Sequence, residues 1–186
     1  ELTVLAARPS VGKTALALNI TEQAALPGPG KEAKRVLFFS LEMGAEQLVM
    51  RMICSHAGLF ANRLKDGILD QGDRKRLLEA AEHLQKAPIL IDDSGGLSIM
   101  ELMAKARREH ARAPLDLVVV DYLQLLKGSS YSRSQNRENE IREISSSLKV
   151  LAKELNVPVL VLSQLNRESE KHGRNPQLSD LRESGA

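Results

Sequence analysis

Residues 7 to 14 read Ala-Arg-Pro-Ser-Val-Gly-Lys-Thr, between a short β-prone run, Leu2–Ala7, and a stretch of good helix formers from Ala15 to Ile20. No other segment constrains the fold as tightly. A strand that turns into a helix through a Gly-Lys-Thr loop gathers backbone N–H groups and a helix N-terminus at one point, where phosphate oxygens are stabilised. In such a loop a lysine reaches the outer phosphates and a Ser or Thr hydroxyl faces Mg2+. Gly12 lets the backbone approach, Lys13 supplies the cation and Thr14 the metal-side hydroxyl. Ala7 stands where the general pattern has its first glycine. Alanine tolerates positive φ poorly, so the loop is expected to enter in extended conformation, stiffened by Pro9. A glycine-containing strand-to-helix turn that binds no nucleotide is the plain alternative.

The rest of the chain continues the alternation. Apolar runs at Leu2–Ala7, Val36–Leu41, Pro88–Asp92, Asp116–Asp121 and Val157–Ser163 read as strands. Near-continuous Val/Ile/Leu content is the pattern of strands covered on both faces. The helix after the Gly-Lys-Thr loop is expected to end near Pro27-Gly28-Pro29-Gly30, a sharp turn signal. Helical spacing recurs in Gly44–Ala57 through Leu48, Val49, Met52 and Ile53, and in Asp73–Gln85 through Leu77, Leu78, Ala81 and Leu84. Ser98-x-x-Glu101 is a capping box ahead of Ile99, Leu102, Met103 and Ala106. Glu138–Asn156 forms a long amphipathic pattern through Ile141, Ile144, Leu148, Leu151 and Leu155. The expectation is an α/β fold, a mostly parallel sheet with helices on both faces, whose ligands gather at the carboxyl ends of the strands.

Composition narrows the classes. A length of 186 residues suits one domain with a sizeable core. The formal net charge is only +2, so any nucleic-acid or membrane contact must come from a local patch. Cys54 is the single cysteine, which excludes an internal disulfide and suits a reducing cytosol. No run approaches the ~20 apolar residues that cross a bilayer, and the N-terminus lacks a signal-peptide pattern. A cytoplasmic protein without a membrane partner is expected.

Several strand ends carry candidate chemistry. Leu117-Val118-Val119-Val120-Asp121 is an apolar strand ending in a carboxylate, and Asp121 can complete a Mg2+ sphere opposite Thr14. Asp92 and Asp93 end another strand and are a rival carboxylate pair, ranked lower because that strand is shorter and runs into Gly95-Gly96. Phe38-Phe39-Ser40-Leu41-Glu42 places Glu42 where it can orient and deprotonate a water in line with a terminal phosphate. Alternatively, Glu42 is an exposed acid facing the next helix dipole. Val159-Leu160-Val161-Leu162-Ser163-Gln164 ends in an uncharged pair, and Gln164 is either a sensor of the terminal phosphate or a structural amide. Two polar segments, 127–137 and 166–186, follow strand ends; each is a ligand-side loop or a solvated one.

Ala-Arg-Pro-Ser-Val-Gly-Lys-Thr, Phe-Ser-Leu-Glu-Met, Val-Val-Asp-Tyr-Leu-Gln-Leu, Leu-Ser-Gln-Leu-Asn-Arg and Ser-Asp-Leu-Arg-Glu-Ser-Gly-Ala occur in that order. Together they resemble the RecA-like C-terminal motor domain of bacterial DnaB-type replicative DNA helicases, over almost the whole chain. Ala7 in place of glycine is common in that family. The resemblance implies that Ser10, Gly12, Lys13, Thr14 and Ala15 bind the phosphates of ATP and that Thr14 and Asp121 hold Mg2+. It also implies that Glu42 is the catalytic carboxylate, with Lys13 and Gln164 (the γ-phosphate sensor) assisting. Arg51, nine residues beyond Glu42, matches an arginine that packs on the nucleotide; a surface helix charge is its alternative. Arg182, Glu183 and Gly185 match a loop that tracks single-stranded DNA phosphates through a ring.

An aromatic content of 3% with no tryptophan leaves no stacking platform for DNA bases, so backbone gripping by Arg182 and the Gly185 amide is what remains. Glu183 cannot pair with a phosphate, and its amide or an orienting pair with an arginine is the expected role. The resemblance implies a homohexamer with a primase and a helicase loader as partners. It further implies that residues 1–186 are one RecA-like domain, incomplete at the C-terminal end and without the family's N-terminal collar. Because the trans arginine finger lies beyond residue 186, the 186 residues alone are expected to bind nucleotide, hydrolyse it poorly and not unwind duplex. A RecA/RadA- or KaiC-like ATPase and a nucleotide-gated protein-assembly module are the competing readings.

Overall fold

The computed structural model describes residues 1–128 and 137–165. Its strands are β1 (Leu2–Ala7), β2 (Val36–Ser40), β3 (Ile89–Asp92), β4 (Leu117–Asp121) and β5 (Val159–Gln164). They form one sheet in the order β1-β5-β4-β2-β3, and every pairing is parallel. The helices are α1 (Lys13–Ala25), α2 (Ala45–His56), α3 (Ala61–Lys65), α4 (Gln71–Gln85), α5 (Ile99–Arg112) and α6 (Arg137–Glu154). No described helix is long and apolar enough to cross a membrane.

Alternation along the central strands divides the core into two layers, because successive side chains point to opposite faces. Leu37 and Phe39 of β2, Val118 and Val120 of β4, and Val159 and Val161 of β5 pack with Leu102 and Met103 of α5 and Ile144 and Leu148 of α6. Val36, Phe38, Val119, Leu160 and Leu162 face the other way, onto Ala17 and Leu18 of α1 and Leu48 and Met52 of α2. All of β2 is buried. The outer strands behave differently: β1 leaves Val4 44% exposed, and β3 is only half-buried. The expectation of strands covered on both faces therefore holds for the interior of the sheet and fails at β1 and β3, each of which has a neighbour on one side only among the described residues.

Other boundaries shift as well. β2 stops at Ser40, and the Leu41 amide makes the last ladder bond to β4, on the Asp121 carbonyl at 2.7 Å. β3 begins at Ile89 and β4 at Leu117, each one residue inside the expected run. β5 begins at Val159 and takes in Gln164. Val49 and Leu78, expected on buried helix faces, are 39% and 67% exposed and line a groove between α2 and α4. The short helix α3 has no periodicity long enough to announce it.

The largest correction is at α4, which begins at Gln71 rather than Asp73. Asp70 is the cap: its carboxylate accepts the Asp73 N–H at 2.7 Å, while the Asp73 carboxylate accepts the Asp70 N–H at 3.4 Å. Asp73 is buried and also accepts from Arg76 at 2.6 Å and pairs with Arg63 of α3 at 2.9 Å, tying α3 to α4. Burial works to raise the Asp73 pKa, but the Arg76 and Asp70 hydrogen bonds and the charges of Arg63 and Arg76 outweigh it and hold it below the ordinary 3.8. A depressed carboxyl pKa stabilises the fold above the unfolded value, and the effect disappears as pH falls through the folded one. Asp73→Asn is therefore expected to melt below the wild type at pH 7, with the gap closing below pH ~4. A pH series of thermal melts checks this, and a gap that persists at low pH would assign the loss to packing.

Candidate nucleotide site

Four adjacent strands end at the same place. Ala7 of β1 pairs with Gln164 of β5, and Ser40 of β2 pairs with Asp121 of β4. Because β5 and β4 are neighbours as well, the residues leaving β1, β2, β4 and β5 converge on one pocket of about 320 Å3. Ser10, Gly12, Lys13, Thr14 and Ala15 line it from the loop and the start of α1. Glu42 enters from the end of β2, Arg51 from α2, Asp121 from β4 and Gln164 from β5. Asp92 and Asp93 do not line it. Asp92 pairs with Lys105 at 2.6 Å, and Asp93 accepts the Ala45 N–H at 2.8 Å, which anchors the start of α2. Arg182, Glu183 and Gly185 lie outside the described residues.

The loop has the geometry that an anion needs. Ser10 and Gly12 have φ of 62° and 98°, both in the left-handed region, so the chain folds back between them. A Cβ at Gly12 would meet no atom within 4 Å and would project into open space, though its φ is strained for any side chain. α1 starts at Lys13, and the first amide bonded within the helix is that of Leu16, on Gly12 O at 2.9 Å. Among the described residues the Lys13, Thr14 and Ala15 amides have no acceptor, as the opening turn of a helix requires. The first turn of α1 carries no acidic residue, so its dipole is left for an external anion.

The charged groups show what would fill the pocket. Lys13 Nζ donates to the carbonyls of Ala7 and Arg8 at 2.7 and 3.1 Å, so the ammonium is held over the loop. Burial draws the Lys13 pKa below its ordinary value, with Asp121 and Glu42 opposing that. Thr14 Oγ1 donates to Asp121 Oδ2 at 2.7 Å. Asp121 is 2% exposed, and burial pushes its pKa up, assisted by the charge of Glu42 and opposed by the Thr14 bond, Lys13 and Arg51. A buried carboxylate in direct contact with a hydroxyl is the donor set for a hard cation. Among the described residues no cluster of three His, Cys, Asp or Glu side chains gathers as a metal cage. Mg2+ needs none: it keeps several waters and takes one or two protein oxygens beside substrate phosphates. The residues therefore fit a Mg2+–polyphosphate.

One residue was not legible in the sequence. Gln124, in the short 3-10 turn Leu123–Leu125, donates through Nε2 to Ser163 Oγ at 2.9 Å and to the Gln164 carbonyl at 3.0 Å. Its Oε1 accepts the Gln164 N–H at 3.3 Å. Both backbone polar groups of Gln164 are thus clamped by one side chain from the turn that follows Asp121. The only available signal was a polar residue inside Leu-Gln-Leu, and such a residue is equally at home on a surface.

The family described as DnaB-like helicase C terminal domain matches residues 1–186. The chain is 46% identical over 187 residues to the replicative DNA helicase DnaC of Bacillus subtilis (strain 168), covering 100% of this chain and 40% of that protein. It is 50% identical over 188 residues to the replicative DNA helicase DnaB of Rhodothermus marinus, covering 100% of this chain and 19% of that protein. A solved structure of a DnaB-like replicative helicase and its interactions with primase matches with a TM-score of 0.84 at 34% identity, over 99% of this chain and 43% of that one. A solved ATPase domain matches at 0.86 and 34% identity, over 98% of this chain and 64% of that one. The fold is the RecA-like one of helicase ATPase domains, and the chain spans well under half the length of these two curated relatives.

Replacing Gln124 removes partners from both Gln164 backbone groups at once. A hydrogen bond of this kind contributes about 1 kcal/mol net, so Gln124→Leu is expected to speed hydrogen exchange at the Gln164 amide by roughly fivefold to tenfold. Exchange along α1 should stay as it is. An unchanged Gln164 amide would mean that β5 alone holds the residue.

Proposed function

The chain belongs to the family of DnaB-like helicase C-terminal domains, and from that premise we propose that it is the motor domain of a hexameric replicative DNA helicase. In this reading ATP binds with Mg2+ at subunit interfaces, its hydrolysis drives movement along single-stranded DNA, and duplex is unwound during replication. The observation that supports it best is the convergence of the loop amides, Lys13, Thr14, Glu42, Arg51, Asp121 and Gln164 on one pocket at the ends of four parallel strands.

Each residue has a chemical task. The amides of Gly12 to Ala15 and the Lys13 ammonium hold the β- and γ-phosphates, and electrostatic stabilisation of this kind is the main term in phosphoryl transfer. Thr14 and Asp121 would hold Mg2+, which when bound neutralises charge on the phosphate oxygens. Glu42 is exposed at the pocket edge, free to orient a water and accept its proton. Gln164, fixed through its backbone by Gln124, offers its side-chain amide to the γ-phosphate. Arg51 packs on the nucleotide from α2. Arg182, Glu183 and Gly185 would follow the DNA backbone, and a primase and a helicase loader would bind the assembled ring in the cytoplasm, at the replisome.

Two measurements on the full-length protein test the proposal. Glu42→Gln is expected to hold ATP with Mg2+ as tightly as the wild type while turnover falls by ~10²–10⁴-fold. Unchanged turnover would reduce Glu42 to a charge near the α2 N-terminus. Fluorescent single-stranded DNA should bind in the presence of a non-hydrolysable ATP analogue, and binding should weaken steeply with salt, as phosphate contacts do. No binding at low salt would favour the protein-assembly reading instead.

A further inference from the structure

Among the described residues the Glu42 carboxylate is exposed and makes no hydrogen bond or salt bridge. Its place over the pocket is therefore set by the backbone of the turn between β2 and α2. Hydrogen bonds hold that turn at its beginning, its middle and its end. The Leu41 N–H donates to the Asp121 carbonyl at 2.7 Å. Ser40 Oγ, which is buried, donates to the Met43 carbonyl at 2.6 Å and closes the turn on itself. The last bond comes from outside β2 and β4: Asp93 Oδ2 accepts the Ala45 N–H at 2.8 Å.

That last bond answers a deficit in the sequence. α2 begins after Gly44, which has no side chain to cap the opening amides. A local cap was sterically available: Gly44 has φ −65° and ψ 151°, open to any residue, and a Cβ there would meet nothing nearer than Asp93 Oδ2 at 3.9 Å. A cap at residue 44 would steady the helix alone, whereas a cap reaching from β3 also fixes the helix against the sheet. β2 and β3 are parallel neighbours with Phe39 opposite Asp92, so the chain leaving β3 runs beside the chain leaving β2. Asp93 is itself held in place. Asp92 pairs with Lys105 of α5 at 2.6 Å and accepts the Ser94 N–H at 3.1 Å, and Lys105 also donates to Ser94 Oγ at 2.8 Å. Both chain neighbours of Asp93 are thus fixed to one ammonium. A charge-assisted bond of the Asp93 kind is shorter and stronger than a neutral one, and a carboxylate at a helix N-terminus also meets its dipole.

We propose that Asp93 is a positioning residue for the reaction: it fixes the turn that carries Glu42, and so aims the water-orienting carboxylate, without touching the nucleotide. The proposal rests on the reading of Glu42 as that carboxylate. Asp93 does not line the phosphate pocket, so its effect belongs in kcat and not in nucleotide affinity.

Turnover and calorimetric ATP affinity of the full-length protein with Mg2+, measured over a cycle of single and double variants, test this role. Asp93→Ala is expected to lower kcat roughly tenfold, short of the ~10²-fold that a misplacement of about 1 Å can cost, with ATP affinity and binding stoichiometry unchanged. Asp93→Asn keeps an oxygen acceptor and should recover most of the loss. Ala45→Pro removes the same N–H from the other side. Proline is at home in the first helical position, and Gly44 already holds the extended conformation that proline demands of its predecessor. Ala45→Pro should match Asp93→Ala, and it carries the test if that variant does not fold. In a Glu42→Gln background neither change should slow turnover further, because both act through the Glu42 carboxylate. Losses that multiply with that of Glu42→Gln, or a kcat indifferent to both Asp93→Ala and Ala45→Pro, overturn the positioning role and leave Glu42 in its own. Turnover unchanged by Glu42→Gln overturns the reading of Glu42 and the positioning role together.

Discussion

The Thr14 hydroxyl meets the Asp121 carboxylate at 2.7 Å although 107 residues separate them, and nearly everything else in the site depends on what makes that contact possible. Thr14 is placed by α1, whose start is fixed by the sharp loop after β1. Asp121 is placed by β4, which is not a neighbour of β1. The strand between them is β5, and its register carries Ala7 to Gln164 on one side and Val120 to Val161 on the other. Removing one residue from that ladder would turn every side chain of β5 to the opposite face. The hydrophobic layers on both faces of the sheet therefore set the geometry of the candidate site, because they hold β5 in this register.

That contact also places a charge where water is scarce. Burying an ionised carboxylate is costly unless it is paired, and here the Thr14 hydroxyl supplies one hydrogen bond while Glu42 adds a second negative group nearby. Lys13 and Arg51 offset this only in part, since burial still dominates the shift at Asp121. A site that holds two carboxylates and two cations around unfilled amides is electrostatically incomplete without a ligand carrying both signs. A polyphosphate bearing Mg2+ has that character: in the proposed reading the anion would meet the amides and Lys13, and the cation would meet Asp121.

How much of this the sequence discloses depends on the range of each interaction. Strand and helix identity comes from local periodicity, and β1, α1, α5 and β4 lie within a residue or two of where their patterns put them. The gathering of Ser10, Gly12, Lys13, Thr14, Glu42, Asp121 and Gln164 is legible for a related reason: each closes or follows a strand, and parallel strands end on one side. What escaped notice depends on pairing between segments. Among the described residues, strand order puts β1 and β3 on the outside of the sheet, so their half-exposure has no local signal. The Asp70 cap is masked by Gly72 and by the apolar spacing that begins later, at Leu77. Val49 and Leu78 fit the helical pattern but face a groove between α2 and α4. Gln124 acquires its role only because the chain after Asp121 turns back beneath β5.

The proposed site is held by the sheet and by one helix, and this has a mechanical consequence. The phosphate end is part of the sheet, where β2, β4 and β5 are buried and densely paired. Beside it stand α1 and α2, which pack together on one face of the sheet. α2 is tied to the sheet at its start: its first amide is fixed by Asp93 at the end of β3, Glu42 precedes it by three residues, and Arg51 projects from its middle. Near its end, His56 is bonded to Glu22 of α1 at 2.7 Å and to His83 of α4 at 3.3 Å. In the proposed reading, a nucleotide packed on Arg51 therefore meets the same helix that follows Glu42, and that helix is held to β3 at its start and to α1 and α4 near its end.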